Sequence, residues 1–230
     1  MKIGGLQKVS LIDYPGLICA IIFLQGCNFR CSYCHNPELV EPQLFQPCIK
    51  ENEVLEFLET RKGKLDAVTI TGGEPTIQDG LALFIKQIKK MGFAVKLDTN
   101  GSQPQIIKTL LDEKLLDFIA MDIKAPLEKY KSVINVPVNS DSIKESIRLI
   151  LKSKIPYEFR TTVVASQLEE KDILYIAKLI SGASRYALQK FVPVKVLDKK
   201  FLKEKSYPDE KFQKIKKHLE NKINSVLIRQ

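Results

Sequence analysis

Short apolar runs alternate with amphipathic stretches along the 230 residues, and this alternation limits the possible fold more than any other feature. The runs Leu17–Leu24, Ala67–Thr71, Ala94–Asp98, Phe118–Asp122, Glu158–Val164 and Tyr186–Phe191 read as strands. Helical patterns near Glu51–Arg61, Gly80–Lys90, Gln103–Glu113, Ser140–Ser153 and Glu169–Ile180 lie between them. Strict alternation of this kind predicts a parallel sheet. A doubly wound sheet and a barrel-like sheet both satisfy it. The polar motifs favour the barrel, because each sits at the C-terminal end of its strand, where (β/α) barrels build their sites. The predicted fold class is therefore α/β, a partial (β/α)6 barrel. At 44% hydrophobic the chain can bury one substantial core, so a single domain over residues 1–230 is expected, with a core of about 16–192.

Three cysteines follow the first predicted strand in Cys27-Asn-Phe-Arg-Cys31-Ser-Tyr-Cys34. Thiolates this close in one loop can converge on a single inorganic centre. Three ligands leave one iron of a 4Fe-4S cluster open, and an open iron can bind a substrate or cofactor directly. Other readings compete for the loop. Cys31-Ser-Tyr-Cys34-His35 is a formal C-x-x-C-H haem-attachment match, but that chemistry needs export and no signal-peptide pattern is expected here. Zinc on Cys27, Cys31, Cys34 and His35 lacks the paired C-x-x-C knuckles of stronger zinc sites. Disulfides do not suit the odd count of five cysteines, and an exported disulfide framework is not expected. Cys19 and Cys48 read as a strand and a loop residue.

The later strand ends carry further polar groups. Gly72-Gly73-Glu74-Pro75 follows the second strand; its glycines let backbone approach a ligand, and Glu74 adds a carboxylate. Carbonyls and a carboxylate are what an ammonium group needs, since it only donates. Out of context the same four residues are an ordinary turn. The third strand ends at Asp98-Thr99-Asn100-Gly101, where Asn-Gly is a turn signal. The fourth ends at Asp122-Ile-Lys124, with Asp122 and Lys124 on one side. These two could be a structural ion pair or part of a binding site. In the fifth, Glu158, Arg160 and Thr162 share a side, and an inward Arg160 could clamp a carboxylate.

The cysteine loop followed by Gly72-Gly73-Glu74-Pro75 resembles the radical S-adenosylmethionine (SAM) enzymes. Asp98-Thr99-Asn100-Gly101, Asp122-x-Lys124, Tyr33 and His35-Asn36-Pro37 look like the glycyl-radical-enzyme activating branch. Leu11-Ile12-Asp13-Tyr14-Pro15-Gly16 and the residues from Phe23 to Cys31 look closer still to activating proteins of anaerobic ribonucleoside-triphosphate reductase. By motif the resemblance covers roughly the first 165 residues. It implies a radical SAM barrel in which Cys27, Cys31 and Cys34 hold one 4Fe-4S cluster and SAM chelates the fourth iron. One-electron cleavage of SAM then yields methionine and a 5′-deoxyadenosyl radical that takes hydrogen from a glycine of a partner enzyme. It further implies Tyr33 beside the adenine, and Gly72, Gly73 and Glu74 on the methionine amino group. Asp98 and Asp122 would line a monovalent cation site, and Lys124 and Arg160 would position SAM. The implied electron donor is a flavodoxin or ferredoxin. An activase of pyruvate formate-lyase, or a radical SAM enzyme with another substrate, shares the same motifs. A non-enzymatic metal- or nucleic-acid-binding module would leave the strand-end motifs unexplained.

The net charge of +9 is concentrated at the end, where twelve Lys/Arg face five Asp/Glu from Gln189 onward. A basic surface of this kind suits an acidic partner or nucleic acid. Interleaved aromatics are missing, which argues against nucleic acid. The plainer reading is a solvated lysine-rich helix over Asp209–Lys222 with Phe212, Ile215 and Leu219 on one face, in a basic extension of about 193–230. The longest apolar run, Leu17–Leu24, is too short to span a bilayer, so a cytoplasmic protein is expected.

Overall fold

The computed structural model describes residues 1–229, which form two compact units built from interleaved segments. The first unit comprises Met1–Asn28, Glu38–Thr99 and Gln105–Ile119. The second comprises Phe29–Pro37, Asn100–Pro104 and the chain from Ala120 onward.

In the first unit, β1 (Ile3–Ser10) pairs antiparallel with β2 (Cys19–Leu24), Ile3 opposite Leu24 and Ser10 opposite Cys19. β2 runs parallel to β3 (Ala67–Gly72), and β3 parallel to β4 (Ala94–Thr99). Both faces of β2 are covered, so it reads as a continuous apolar run, whereas β3 is mostly buried but alternates Val68 and Ile70 with Thr69 and Thr71. The helices are α1 (Pro37–Val40), α2 (Glu51–Glu59), α3 (Leu81–Lys90) and α4 (Pro104–Asp112). α3 illustrates how the sequence dictates packing. Leu81, Phe84, Ile85 and Ile88 fall on one stripe and are buried, at ~1.5–3 kcal/mol for each such side chain. Lys89 and Lys90 sit in its last turn, where the helix dipole favours cations.

β5 (Phe118–Asp122) carries the chain from the first unit into the second. There β6 (Tyr157–Val163), β7 (Tyr186–Lys190) and β8 (Val226–Arg229) are parallel neighbours in that order. Their helices are α5 (Tyr130–Ile134), α6 (Ser140–Lys152), α7 (Glu170–Leu179) and α8 (Asp209–Leu219). The Asn139 side chain caps α6 by accepting from the Asp141 N–H at 2.9 Å. Glu169 and Asp172 form a capping box on α7, and the same Asp172 receives Lys129 at 2.6 Å.

The fold is α/β with an open, partial parallel sheet, as the strand–helix alternation predicted. All six predicted strands are present within two residues of their expected bounds. β1 and β8 were not anticipated. β1 is half exposed and carries Gly4, Gly5, Gln7 and Lys8, and the apolar run of β8, Val226 to Ile228, is only three residues long. The basic segment is not an appendage: α8 and β8 belong to the second unit, with Phe212, Ile215 and Leu219 buried and Lys214 and Lys217 exposed. Among the described residues no helix is long and apolar enough to cross a membrane.

Candidate active site

Because β2, β3 and β4 are parallel and in register, their polar sequels emerge at one end of the first unit. Gly72 has φ +115°, and a Cβ there would lie 2.4 Å from the Leu24 nitrogen. A Cβ on Gly73 would lie 1.9 Å from the Gly26 carbonyl oxygen. Both glycines are therefore required by backbone packing against the end of β2 and the start of the cysteine loop. The Glu74 N–H donates to Gly26 O and the Gly73 N–H to Leu24 O, both at 2.8 Å. Gly26 in turn donates to Leu39 O at 2.8 Å. The turn that follows β3 thus fixes the residue immediately before Cys27.

Glu74 is buried, 1% exposed. Its Oε1 accepts from the Thr76 N–H at 3.0 Å, from the Thr76 hydroxyl, and from the Thr99 hydroxyl at 2.7 Å. The carboxylate is a fixed acceptor that cannot swing. One residue before Thr99, on the opposite face of β4, Asp98 meets the Lys96 ammonium at 2.6 Å. Sequence reasoning had singled out Asp98 and passed over Lys96. A lysine in the middle of a strand suggests an exposed edge, yet this one is 2% exposed. Its spacing of two from Asp98 was the available signal.

Cys31, Cys34 and Tyr33 belong to the second unit, whose other elements hold their loop. The Arg30 N–H donates to Ile134 O at 2.8 Å, and Asn135, in the left-handed region at φ +57°, donates to Arg30 O and the Ser32 hydroxyl. Asp198 N–H reaches Ser32 O at 3.0 Å. His35 stacks on Phe191 with ring centroids 5.5 Å apart, and its Nε2 lies 2.8 Å from Val192 O. His35 is thus tied to the end of β7 through its ring face and Nε2. Asn100 makes the turn its sequence suggested, accepting from the Ser102 N–H at 2.9 Å.

Asp122 takes two cations. Arg160 Nε donates to its Oδ1 at 2.8 Å, and Lys124 Nζ to its Oδ2 at 3.1 Å. Burial pushes the Asp122 carboxyl up, but Arg160 and Lys124 outweigh it and hold the group well below the usual carboxylate range. Burial likewise works against the Lys124 ammonium, and Asp122, Tyr33 and Cys31 more than compensate, so its pKa lies well above the ordinary lysine value. Of these charges, Lys124 is the one that acts to lower the neighbouring Cys31 thiol.

These residues fit an iron–sulfur centre. All five cysteines are thiols, not disulfides; Cys19 is buried on β2 and Cys48 exposed in a loop. Among the described residues no three His, Cys, Asp or Glu side chains converge on a point suited to one metal ion. Burial raises the Cys31 thiol to about 11, with the Lys124 charge opposing it. The Tyr33 hydroxyl is buried without a protein hydrogen-bond partner, and burial first, then the Cys31 sulfur, pushes its pKa well above the ordinary tyrosine value. A thiolate on Cys31 would accept from that orphaned hydroxyl. The Tyr33 ring itself is 4% exposed and packs edge-on against Phe191.

Comparison with known proteins agrees with this chemistry. A profile of the radical SAM superfamily matches residues 21–180. A Methanocaldococcus jannaschii protein, named provisionally as a glycyl-radical enzyme activating enzyme, is 35% identical over 234 aligned residues, covering 99% of this chain and 95% of the relative. The pyruvate formate-lyase-activating enzyme of Staphylococcus aureus is 29% identical over 74% of this chain and 71% of its own. Proteins named 7-carboxy-7-deazaguanine synthase match as well. Among solved structures, Streptococcus suis SuiB bound to precursor peptide SuiA aligns with a TM-score of 0.71 at 12% identity. That alignment covers 91% of this chain, which spans about half of the longer protein, 48%. The motif-based resemblance stopped near residue 165, but the first of these relatives extends it through the basic segment.

Proposed function

The chain belongs to the radical SAM superfamily, and from that membership we propose that it is an activase that installs a glycyl radical in a partner enzyme. The observation that carries this reading is the similarity to an activating-enzyme relative along nearly the whole of both chains. Cys27, Cys31 and Cys34 would hold a 4Fe-4S cluster, which would supply the electron for reductive cleavage of SAM. The protein's own part is binding, orientation and exclusion of water.

In this reading Gly72, Gly73 and Glu74 receive the methionine amino group, for which a fixed buried carboxylate and strand-end carbonyls are suited acceptors. Lys124 and Arg160, both held by Asp122, position SAM, and Tyr33 lies at the adenine side of the loop. The monovalent cation implied for Asp98 and Asp122 is the one member of the set for which each carboxylate already has protein cations.

The partner we favour is an anaerobic ribonucleoside-triphosphate reductase, on the strength of the segment Leu11-Ile12-Asp13-Tyr14-Pro15-Gly16. Leu11 and Ile12 are 72% and 89% exposed, and adjacent exposed apolar side chains suit contact with a protein surface. The reductant would be a flavodoxin or ferredoxin in a reducing compartment, the cytoplasm. Pyruvate formate-lyase is the alternative partner, supported by the S. aureus similarity. The experiment is anaerobic reconstitution of the cluster, reduction, and assay of 5′-deoxyadenosine with each candidate partner present or omitted. Cleavage stimulated by the reductase and not by pyruvate formate-lyase supports the first partner; the reverse selects the second. Cleavage indifferent to both, with turnover of a small molecule, overturns the activase reading.

A further inference from the structure

Asp98 was expected to help bind a monovalent cation, and the structure gives it a different charge. Lys96 and Asp98 stand two residues apart on β4, so their side chains share one face of the strand. The Lys96 Nζ lies 2.6 Å from Asp98 Oδ1, with the two side chains 3% and 13% exposed. An alkali ion at that oxygen would have to displace a tethered ammonium, or sit beside it against like-charge repulsion. Displacement leaves a lysine charge buried without its partner, which is costly. An ammonium offers three directed donors to oxygen ligands, the same ligands an alkali ion binds. In the second unit, Asp122 is similarly supplied from within the chain, each oxygen taking its own cation.

We propose that the Lys96 ammonium takes the place of the monovalent cation, so that this protein binds SAM without an alkali metal ion. The inference rests on the reading that Asp98 serves the SAM site. It makes Lys96 a positioning residue: it fixes Asp98 and supplies a unit of positive charge at that carboxylate.

The test uses the full-length holoprotein with its cluster reconstituted anaerobically. Binding of labelled SAM is measured by equilibrium dialysis in buffers of equal ionic strength whose cation is tetramethylammonium, sodium or potassium. The wild type is expected to bind SAM equally in all three, within about twofold. Lys96→Met is expected to bind about tenfold or more weakly in tetramethylammonium and to recover in sodium or potassium, because the bared Asp98 then recruits an ion. Wild-type affinity that collapses in tetramethylammonium overturns the inference while leaving the SAM site intact, and needs no variant to show it. A folded Lys96→Met that binds normally in every buffer overturns it too. Absence of SAM binding to the wild type in all three buffers contradicts the underlying reading and takes the inference with it.

Discussion

The Thr99 hydroxyl donates to Glu74 Oε1 at 2.7 Å, a bond between the ends of two parallel strands in which both residues are buried. Thr99→Val removes a donor from a buried carboxylate and is expected to destabilise the protein by about 1–3 kcal/mol. Urea unfolding of the cluster-free protein measures this. Glu74→Gln changes less of the fold and more of the site, and SAM affinity is expected to fall about tenfold with the unfolding midpoint little moved. Unaltered SAM binding in Glu74→Gln would leave Glu74 with only its turn-forming role.

Asp122 makes acid stability a probe of the second unit. Its folded pKa is depressed, so the stability it contributes is complete above the ordinary carboxylate value near ~4 and is lost as pH falls through the depressed one. The stability difference between wild type and Asp122→Asn should therefore be largest at neutral pH and shrink in acid. A difference that is flat from neutral to acid would mean that Arg160 and Lys124 do not hold the carboxylate ionised.

Cys31, buried and with its thiol raised to about 11, is protonated in the cluster-free protein at neutral pH. Alkylation by iodoacetamide, followed by mass spectrometry, should label exposed Cys48 well before Cys31. Cluster assembly must release that proton, so cluster affinity is expected to rise with pH through the neutral range. Equal labelling rates would remove the basis for this dependence.

Tyr33→Phe deletes the hydroxyl that faces Cys31. A hydrogen bond to a cluster sulfur favours the reduced state, so the variant's potential should drop by an amount on the order of tens of millivolts. Potentiometric titration followed by EPR measures it. An unchanged potential would place the hydroxyl away from the cluster.

Glu158, 1% exposed, receives both terminal nitrogens of Arg229 at 2.8 Å. Arg229→Ala leaves the carboxylate buried and alone. The arginine is itself a third exposed, so solvent screening reduces the expected loss to about 1–3 kcal/mol. Thermal unfolding of Arg229→Ala beside Glu158→Gln/Arg229→Ala checks the pairing, since the double variant should recover part of the loss.

The sequence showed the strands best where both faces are covered. β2 announces itself as an unbroken apolar run, β3 as a β-branched run ending in Gly72-Gly73, and α8 as three apolar residues on a lysine-rich helix. β8 is strand-favouring in composition, Val-Leu-Ile-Arg, but only four residues long, and its pairing with β7 is what identifies it as a strand. In the site, residue types and spacing were legible: three thiols in eight residues, two glycines before a carboxylate, Asp122 two before Lys124. What those glycines pack against was not legible, because Gly72 closes on Leu24 and Gly73 on Gly26, 48 and 47 residues earlier in the chain. Lys96 was overlooked for a similar reason. Burial of a charged residue depends on its neighbours in space, and its own letter points toward solvent. The orphaned Tyr33 hydroxyl is likewise a property of packing alone.

The central claim is that this chain converts SAM cleavage into a glycyl radical on another protein. Its most direct test is an EPR spectrum of the candidate ribonucleoside-triphosphate reductase after anaerobic incubation with the reduced, cluster-loaded protein and SAM. The account predicts a glycyl radical doublet that grows with 5′-deoxyadenosine and disappears with Cys27→Ala, Cys31→Ala or Cys34→Ala. Radical formation that survives loss of any one of these cysteines would contradict it, as would abundant 5′-deoxyadenosine with no radical on any glycyl radical enzyme supplied.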